Sequence, residues 1–135
     1  RIQSLCLWNP VLDIDKTFLR PTLPWGVNNF TGKNLASLYE SGYLIIDDSF
    51  KVGIIFWEEL RYLGSYDGLQ RLDAPVLLIH GDVDNYVPYT AALTFARTHP
   101  RANLVTIAGA DHGFELEHHE RQVLQETVVF LSSLK

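Results

Sequence analysis

The sequence predicts an α/β fold in which about three parallel strands are flanked by helices, with a helical segment inserted after the first strand. From Ala74 onward, short apolar runs rich in β-branched residues alternate with longer amphipathic stretches, which is the pattern of parallel strand–helix units. About 65 residues separate the apolar run that ends at Trp8 from the next strand at Val76, far more than one such unit needs. We therefore divide the chain into a core strand at 1–8, a cap or lid insertion at 9–73 and a C-terminal strand–helix region at 74–135.

Composition excludes several classes of protein. The 135 residues suffice for one modest domain with a core, and 11 basic against 16 acidic residues give a formal charge of −5. The basic residues are scattered, so no nucleic-acid partner is expected. No apolar run reaches the roughly 18 residues of a membrane span, and the first residues lack the charged-then-apolar layout of a signal peptide, so we expect a soluble, cytoplasmic protein. The chain begins with Arg1 and contains no Met, from which we expect a preceding segment, and its single Cys6 fits a small core thiol.

The C-terminal region carries the clearest periodicities. Strands are predicted at Val76–Ile79 and Asn103–Ile107, with a crossover helix between them that has Pro88 in its first turn. Its apolar positions at helical spacing are Ala91, Ala92, Phe95 and Ala96. A last helix is predicted from about residue 116 to 134, packed on the sheet. Its apolar stripe consists of Val123, Thr127, Phe130, Leu131 and Leu134.

The insertion has less regular patterns. Its early section is predicted to be loop-like from its turn-forming residues, Pro10, Pro21, Pro24, Gly26, Asn28 and Asn29. Further on, Ser49 is expected to cap a helix that Gly64 ends, and Asp47 and Asp48 favour its N-terminus. Gly53 inside this helix costs about 1 kcal/mol relative to Ala. The apolar positions of the predicted helix are Val52, Ile55, Phe56, Leu60 and Leu63.

Aromatic residues are concentrated in the insertion, which holds ten of the 16, so we expect some of them to line an apolar substrate pocket. The candidates are Trp25, Phe56 and Trp57, together with Tyr86 and Phe114 of the C-terminal region. The alternative is that these aromatic rings only pack the insertion against the sheet.

Two polar residues follow neighbouring strands of the predicted sheet. Asp84 comes after the strand that ends near His80, and His112 comes after the strand that ends near Ile107. Loops at the carboxyl ends of adjacent parallel strands emerge side by side at the edge where ligands bind. A carboxylate beside an imidazole fixes one tautomer of the ring, which then accepts the proton of a Ser nucleophile. We predict that Asp84 and His112 are the acid and the base of such a site.

Each of these residues has an alternative. Asp82 is the nearest rival to Asp84, and either carboxylate could instead cap the helix near Pro88. A lone His after a strand is more often a surface residue, but the flanking Gly109 and Gly113 favour catalysis for His112.

Other polar groups are interpreted as structural. We assign His80 and Gly81 a structural role, and we place His99 at a helix end. Glu115, His118 and His119 have helical spacing suited to a divalent metal, but no further ligand pattern accompanies them, so a solvated helix face is predicted. The sequence has no Gly-rich phosphate loop and no metal-ligand cluster, so neither a cofactor nor a metal is expected.

Two segments carry a family resemblance. Residues 74–81 with Asp84 and Val87-Pro88 resemble the strand and acid turn of the α/β-hydrolase superfamily, and Gly109–Phe114 resembles its His loop. The spacing of Gly81, Asp84 and Val87 is the family spacing. Weaker matches are Asn9–Asp13, similar to the family's exit into its cap, and Phe50–Gly53 with Glu58, Glu59 and Leu60, similar to its cap helix. The resemblance is to the branch of esterases, lysophospholipases and serine-aminopeptidase-like hydrolases, and it covers nearly the whole chain.

The resemblance implies a nucleophilic Ser in a Gly-x-Ser-x-Gly turn upstream of the acid and the His. No such pentapeptide occurs, and the nearest segment, Gly64–Gly68, has its Ser in the second place. The chain is therefore predicted to be the C-terminal half of a hydrolase, inactive by itself. We expect its open sheet edge to be covered by the N-terminal half of the same fold, by a swapped dimer or by a second polypeptide.

Three functions are compatible with these residues. The preferred one is a serine hydrolase that acts on a small-molecule carboxylic ester or thioester. A second is an aminopeptidase of the same fold, in which Glu58, Glu59 or Asp67 would hold the free amine. A third is a non-catalytic binding module that keeps the fold and lacks the nucleophile.

Overall fold

The computed structural model of the chain describes residues 2–63 and 67–134. In chain order its strands are β1 Leu5–Trp8, β2 Tyr43–Ile46, β3 Phe50–Gly53, β4 Val76–Gly81 and β5 Ala102–Ile107. Its α-helices are α1 Pro24–Phe30, α2 Gly32–Ser41, α3 Ile54–Leu60, α4 Asp67–Gln70, α5 Tyr89–Thr98 and α6 Glu117–Ser132. The chain divides into two compact units, which we call the sheet unit (residues 1–12 and 66–135) and the hairpin unit (residues 13–65). That the hairpin unit acts as a cap stays a prediction.

The sheet unit is built on three parallel strands in the order β1-β4-β5. Leu5 pairs with Val76, and Val76 pairs with Ala102 on the other side, so β4 is the central strand. All six residues of β4 are buried, as the continuous apolar run predicted. The predicted α/β class with about three parallel strands and flanking helices is confirmed.

The two faces of β4 pack against different helices. Val76 and Leu78 face a core that includes Ala92 and Phe95 of α5, whereas Leu77 and Ile79 face a core that includes Val123 of α6. Each fully buried Leu or Ile side chain stabilises the fold by about 1.5–3 kcal/mol. The central strand is therefore held from both sides, and the loops that follow β4 and β5 start from a rigid base.

The apolar stripe predicted for α6 is correct only in part. Val123 is buried, and Thr127 and Phe130 are half-buried, but Leu131 and Leu134 are 50% and 40% exposed in the described chain. Phe130 already takes the inward position of the last turn, so its neighbour Leu131 points about 100° away around the helix.

The hairpin unit contains the antiparallel pair β2–β3 and the helices α1, α2 and α3, preceded by a π-helical turn at Asp15–Leu19. Its core consists of buried apolar residues that come from five of these elements: Phe30, Leu38, Leu44, Val52, Trp57 and Leu60. Phe30 stacks on Trp57 with ring centroids 5.7 Å apart. Aromatic residues therefore form part of the core of this unit.

The prediction of a loop-like start to the insertion is correct at Pro10 and Pro21, which lie outside helices and strands, and wrong from Pro24 onward. Pro24 is the first residue of α1, where its missing N–H costs nothing because the first turn has no intrahelical acceptor for it. Gly26 lies inside α1, where a Cβ would come 2.7 Å from the carbonyl oxygen of Thr17. Both residues are therefore compatible with this helix, although both residue types favour turns.

The helix predicted to follow a Ser49 cap begins only at Ile54, four residues later than predicted. Phe50–Gly53 forms β3, and α3 starts at Ile54 with Gly53 as its N-cap. Asp47 and Asp48 have φ of 48° and 55° and are the central residues of the turn closed by the bond from Ser49 N to Ile46 O, within the three residues (47–49) that join β2 to β3. These two residues therefore form a hairpin turn and do not favour a helix N-terminus.

The apolar positions predicted for that helix do not form one buried face. Within the described residues, Val52 and Leu60 are buried, whereas Ile55, Phe56 and Leu63 are 75%, 49% and 56% exposed. The C-terminal boundary predicted at Gly64 lies outside the described residues. We find no described helix whose length and apolar character would allow it to span a membrane.

Candidate active site

Asp84 lies in the loop between β4 and α5, three residues after the strand ends, and it is 7% exposed. Its Oδ1 accepts hydrogen bonds from the backbone N–H groups of Tyr86 (2.8 Å) and Val87 (2.9 Å). Its Oδ2 lies 2.8 Å from Nδ1 of His112 and 3.2 Å from Nε2 of His80. Four donors therefore surround one buried carboxylate and fix its orientation.

The same contacts keep this carboxylate ionised. Burial alone raises the pKa of Asp84, but the hydrogen bonds from His112, His80, Val87 and Tyr86 outweigh burial and hold the pKa well below its usual range. A folded-state pKa below the unfolded value means that the ionised group stabilises the fold at neutral pH. That stability is lost only as the pH falls below the ordinary carboxyl range toward the lowered value. Asp84 is thus a permanent anion wherever the site would work.

His112 lies in the loop after β5, and its side chain is 35% exposed. Because a carboxylate only accepts, Nδ1 of His112 carries the hydrogen that it donates to Asp84, which leaves Nε2 as the basic nitrogen of a neutral ring. The ring of Tyr86 stacks on it, with centroids 5.0 Å apart. A cleft of about 320 Å³ opens beside the imidazole. Its lining residues are Asn85, Tyr86, Asp111, His112, Gly113 and Glu115.

The loops that carry the two residues meet because Gly81 has no side chain. A Cβ at this position would lie 2.9 Å from the carbonyl oxygen of Asp111 and would overlap the backbone of Ala110. Val83 N also donates to Ala110 O at 3.2 Å. The absence of a side chain at Gly81 thus allows the acid loop to approach the His loop closely.

Asp82, the predicted rival of Asp84, has a different partner. Its Oδ1 accepts a hydrogen bond of 2.6 Å from the backbone N–H of Gly109, which has φ of 74°. Asp82 therefore fixes the turn that begins the His loop, whereas Asp84 meets the imidazole.

Asn9 is a residue of this site that sequence reasoning missed. It follows β1 with φ of 42° and is 4% exposed. Its Oδ1 accepts from the backbone N–H of Gly81 (2.9 Å), and its Nδ2 donates to the carbonyl oxygens of His112 (2.6 Å) and Asp111 (3.3 Å). One side chain thus ties the end of β1 to the acid strand and to the His loop. The available signal was an Asn, which tolerates positive φ, directly after a strand.

Replacing Asn9 should loosen this junction. We expect Asn9→Gly, which keeps the backbone conformation accessible, to lower the free energy of unfolding of the full-length protein by about 1–3 kcal/mol, because buried partners lose their hydrogen bonds. Urea denaturation measures this change. Asn103→Ala, at an exposed position of β5, is the matched control and should change it by less than about 0.5 kcal/mol. Equal decreases in the free energy of unfolding for the two variants would contradict the stabilising role of the Asn9 hydrogen bonds.

The residues predicted to line a substrate pocket have different environments. Tyr86 borders the cleft at His112, but Phe114 is 7% exposed and packs in the core beneath α6. In the hairpin unit, Trp57 is buried and Trp25 donates from Nε1 to Asp47 (2.9 Å). Phe56 is half-exposed and borders a shallow apolar depression. A substrate-binding role stays a prediction for all five residues.

The histidines at positions 99, 118 and 119 differ in their contacts and exposure. His99 is the C-cap of α5, and its Nε2 lies 3.1 Å from Leu72 O while its Nδ1 accepts from Arg101 N. His118 is exposed on α6, but His119 is 5% exposed, so the prediction of a solvated face is wrong for His119. Among the described residues, no group of three potential ligands is placed to hold a metal ion.

The sequence profile of the TAP-like protein family matches residues 63–134, just over half of the chain. This chain belongs to the TAP-like protein family of the α/β-hydrolase superfamily. The TAP-like match contains both Asp84 and His112.

Solved structures share the fold. The chain is similar to Est1E from Butyrivibrio proteoclasticus with ferulic acid bound, at 23% identity over 97% of this chain and 49% of that one, with a TM-score of 0.71. It is also similar to mouse alpha/beta hydrolase domain-containing protein 10, at 13% identity over 98% of this chain and 53% of that one, with a TM-score of 0.64. The esterase domain of a Rhodothermus marinus protein matches at 20% identity over 90% of this chain and 48% of that one, with a TM-score of 0.59.

The TAP-like chain thus spans about half the length of these structures. No curated protein sequence matches it significantly.

Proposed function

We propose that this chain is the C-terminal portion of a serine hydrolase that cleaves carboxylic esters or thioesters, in which His112 is the general base and Asp84 orients it. The contact of 2.8 Å between Nδ1 of His112 and Oδ2 of Asp84 carries the proposal. The exposure of the imidazole at a cleft supports it, because the basic Nε2 must reach a nucleophile and a substrate.

In the proposed reaction, Nε2 of His112 takes the proton of a Ser hydroxyl as its oxygen attacks the acyl carbon. The imidazolium, stabilised by ionised Asp84, returns that proton to the departing alcohol or thiol when the tetrahedral intermediate collapses. A water molecule then repeats the sequence on the acyl-enzyme and releases the acid. Both protons pass through Nε2, and Asp84 stays ionised throughout.

The Ser is proposed to lie in the N-terminal half of the fold, upstream of this chain. The order Ser, Asp, His along α/β-hydrolase chains supports this placement, as does the absence of a Gly-x-Ser-x-Gly turn from the sequence. In addition, β1 pairs with β4 along one edge and has no strand on its other edge within the described residues. The proposed occupant of that edge is the N-terminal half of the same fold, or a swapped or dimeric partner, and the chain alone is proposed to be inactive. A cytoplasmic location belongs to the same proposal.

Ester hydrolysis by the full-length protein tests this proposal. We expect turnover of p-nitrophenyl acyl esters, and the panel includes methyl ferulate because the Est1E structure holds ferulic acid. At acidic pH kcat/KM should fall, because an imidazole must be unprotonated to act as a base. Undiminished turnover at pH 5 would contradict the role of His112.

A substrate panel extended to peptide-like compounds distinguishes the esterase from the two alternative functions. Cleavage of aminoacyl p-nitroanilides in preference to esters would favour the aminopeptidase. In the hairpin unit Glu58 is already paired with Arg61 at 3.2 Å, which makes it less suited to hold a substrate amine. A folded protein that hydrolyses neither class would favour the binding module.

A further inference from the structure

His80 is a buried histidine that the proposed reaction does not use. It is the fifth residue of β4 and is fully buried in a strand whose other members, apart from Gly81, are apolar. Its Nε2 lies 3.2 Å from Oδ2 of Asp84, and Nδ1 of His112 lies 2.8 Å from the same oxygen. Two histidines thus approach one carboxylate oxygen, one from the interior and one from the cleft.

The chemistry of the carboxylate fixes the tautomer of His80. Ionised Asp84 has only acceptors, so the Nε2 that faces it must carry a hydrogen. Nδ1 of a neutral ring is then a bare acceptor, and this atom is buried without a hydrogen-bond partner in the described chain. Protonating Nδ1 would add a buried N–H that has no acceptor among the described residues. In this arrangement Nε2 of His80 donates to Asp84.

The surroundings hold the ring in place. The ring of Tyr89 on α5 meets it edge-on, with centroids 5.7 Å apart, and the Tyr89 hydroxyl is bonded at 2.7 Å to Thr106 on β5. Two titratable groups thus face the His80 ring, Asp84 at its Nε2 and Tyr89 at its edge, and the His112 ring contacts the same oxygen of Asp84.

We infer that His80 is a positioning residue that fixes Oδ2 of Asp84 at the place where Nδ1 of His112 reaches it. The backbone N–H groups of Tyr86 and Val87 hold Oδ1 of Asp84, and Nε2 of His80 supplies a third fixed donor, to Oδ2. The inferred consequence is that the carboxylate keeps its orientation when the imidazole of His112 moves during the reaction. This inference rests on the proposed roles of Asp84 and His112. It goes beyond the structural role that the sequence predicted, because it assigns His80 an effect on the rate.

Substituting Gln or Asn for His80 distinguishes a role in positioning the Asp84 carboxylate from a role in filling the core. Both carry the same amide, but only Gln places its N–H about as far from the backbone as Nε2 of histidine. In the full-length protein we expect His80→Asn and His80→Phe to lower kcat for ester hydrolysis about 10–100-fold with little change in KM, because a misplaced acid disorients the base. His80→Gln should restore kcat to within about 5-fold of the wild type.

Two further measurements distinguish a misplaced carboxylate from a loss of stability. Urea denaturation reports the stability of each variant, and kcat is compared per folded molecule. The Nδ1 proton of His112, observed by proton NMR, should keep its resonance in His80→Gln and shift or broaden in His80→Asn. His99 is the matched control, since it is a second buried histidine with hydrogen-bonded nitrogens but no link to Asp84. His99→Gln should lower stability and leave kcat unchanged.

The outcomes distinguish this inference from the proposed function. If the wild type is active and His112→Ala is not, equal kcat and equal His112 resonances in the Gln and Asn variants overturn the role of His80 alone. If His112→Ala remains active, the proposed function fails. The NMR resonance of the His112 Nδ1 proton then tests the role of His80 separately. An unchanged resonance in His80→Asn would overturn the positioning role of His80.

Discussion

His112→Ala in the full-length protein should lower kcat/KM for ester hydrolysis by at least about 10⁴-fold, because it removes the group proposed to accept the proton of the attacking Ser. The imidazole borders the cleft and is tied to Asp84, so its removal takes away the base and leaves the packed interior intact. Initial rates on p-nitrophenyl esters measure the change.

His118→Ala is the matched control for this substitution. His118 is an exposed histidine of α6, six residues further along the chain, and its loss should change kcat/KM by less than about 2-fold. Similar losses in both variants would contradict the role of His112 as the base.

Asp84→Asn should lower kcat by about 10³–10⁴-fold. The amide oxygen can take the place of Oδ1 and accept from Tyr86 and Val87, which puts the amide NH₂ against Nδ1 of His112. An NH₂ group donates, so Nδ1 must give up its hydrogen and become the acceptor. The proton then sits on Nε2, and the neutral ring can no longer act as a base from that nitrogen. Steady-state kinetics at pH 8 measures the loss, and KM should change little.

Asp82→Asn provides the comparison for Asp84→Asn. The Asp82 carboxylate accepts from Gly109 N, and an amide oxygen can accept the same bond, so we expect less than about 5-fold loss of kcat. If Asp82→Asn were the more costly of the two, the acid would be assigned to the wrong carboxylate.

The strands of the sheet unit and its helices α5 and α6 were predictable because their signals are local, whereas α4 was not predicted. The continuous apolar run at Val76–Ile79 required burial on both faces, and the spacing of Ala91, Ala92 and Phe95 required a helix. Once two parallel strands were placed, the meeting of Asp84 and His112 followed from the geometry of a sheet edge.

Other features depend on contacts that the local pattern does not contain. Asn9 bonds to residues about 70 and 100 positions away, and nothing in its neighbours specifies those partners. Asp47 and Asp48 fit a helix N-terminus and a hairpin turn equally well by residue type, but Asp47 accepts bonds from Trp25 and Asn29 of α1. In the hairpin unit, tertiary contacts therefore determined that these residues form a hairpin turn, although the sequence pattern was equally compatible with a helix N-terminus.

Fluorophosphonate labelling of the full-length protein, with the modified residue located by mass spectrometry, tests the proposed acid and base most directly. We predict that one Ser upstream of this chain is labelled in the wild type and that labelling is lost in His112→Ala. A folded wild-type protein that remains unlabelled, or a label that persists in His112→Ala at the wild-type rate, would contradict these roles.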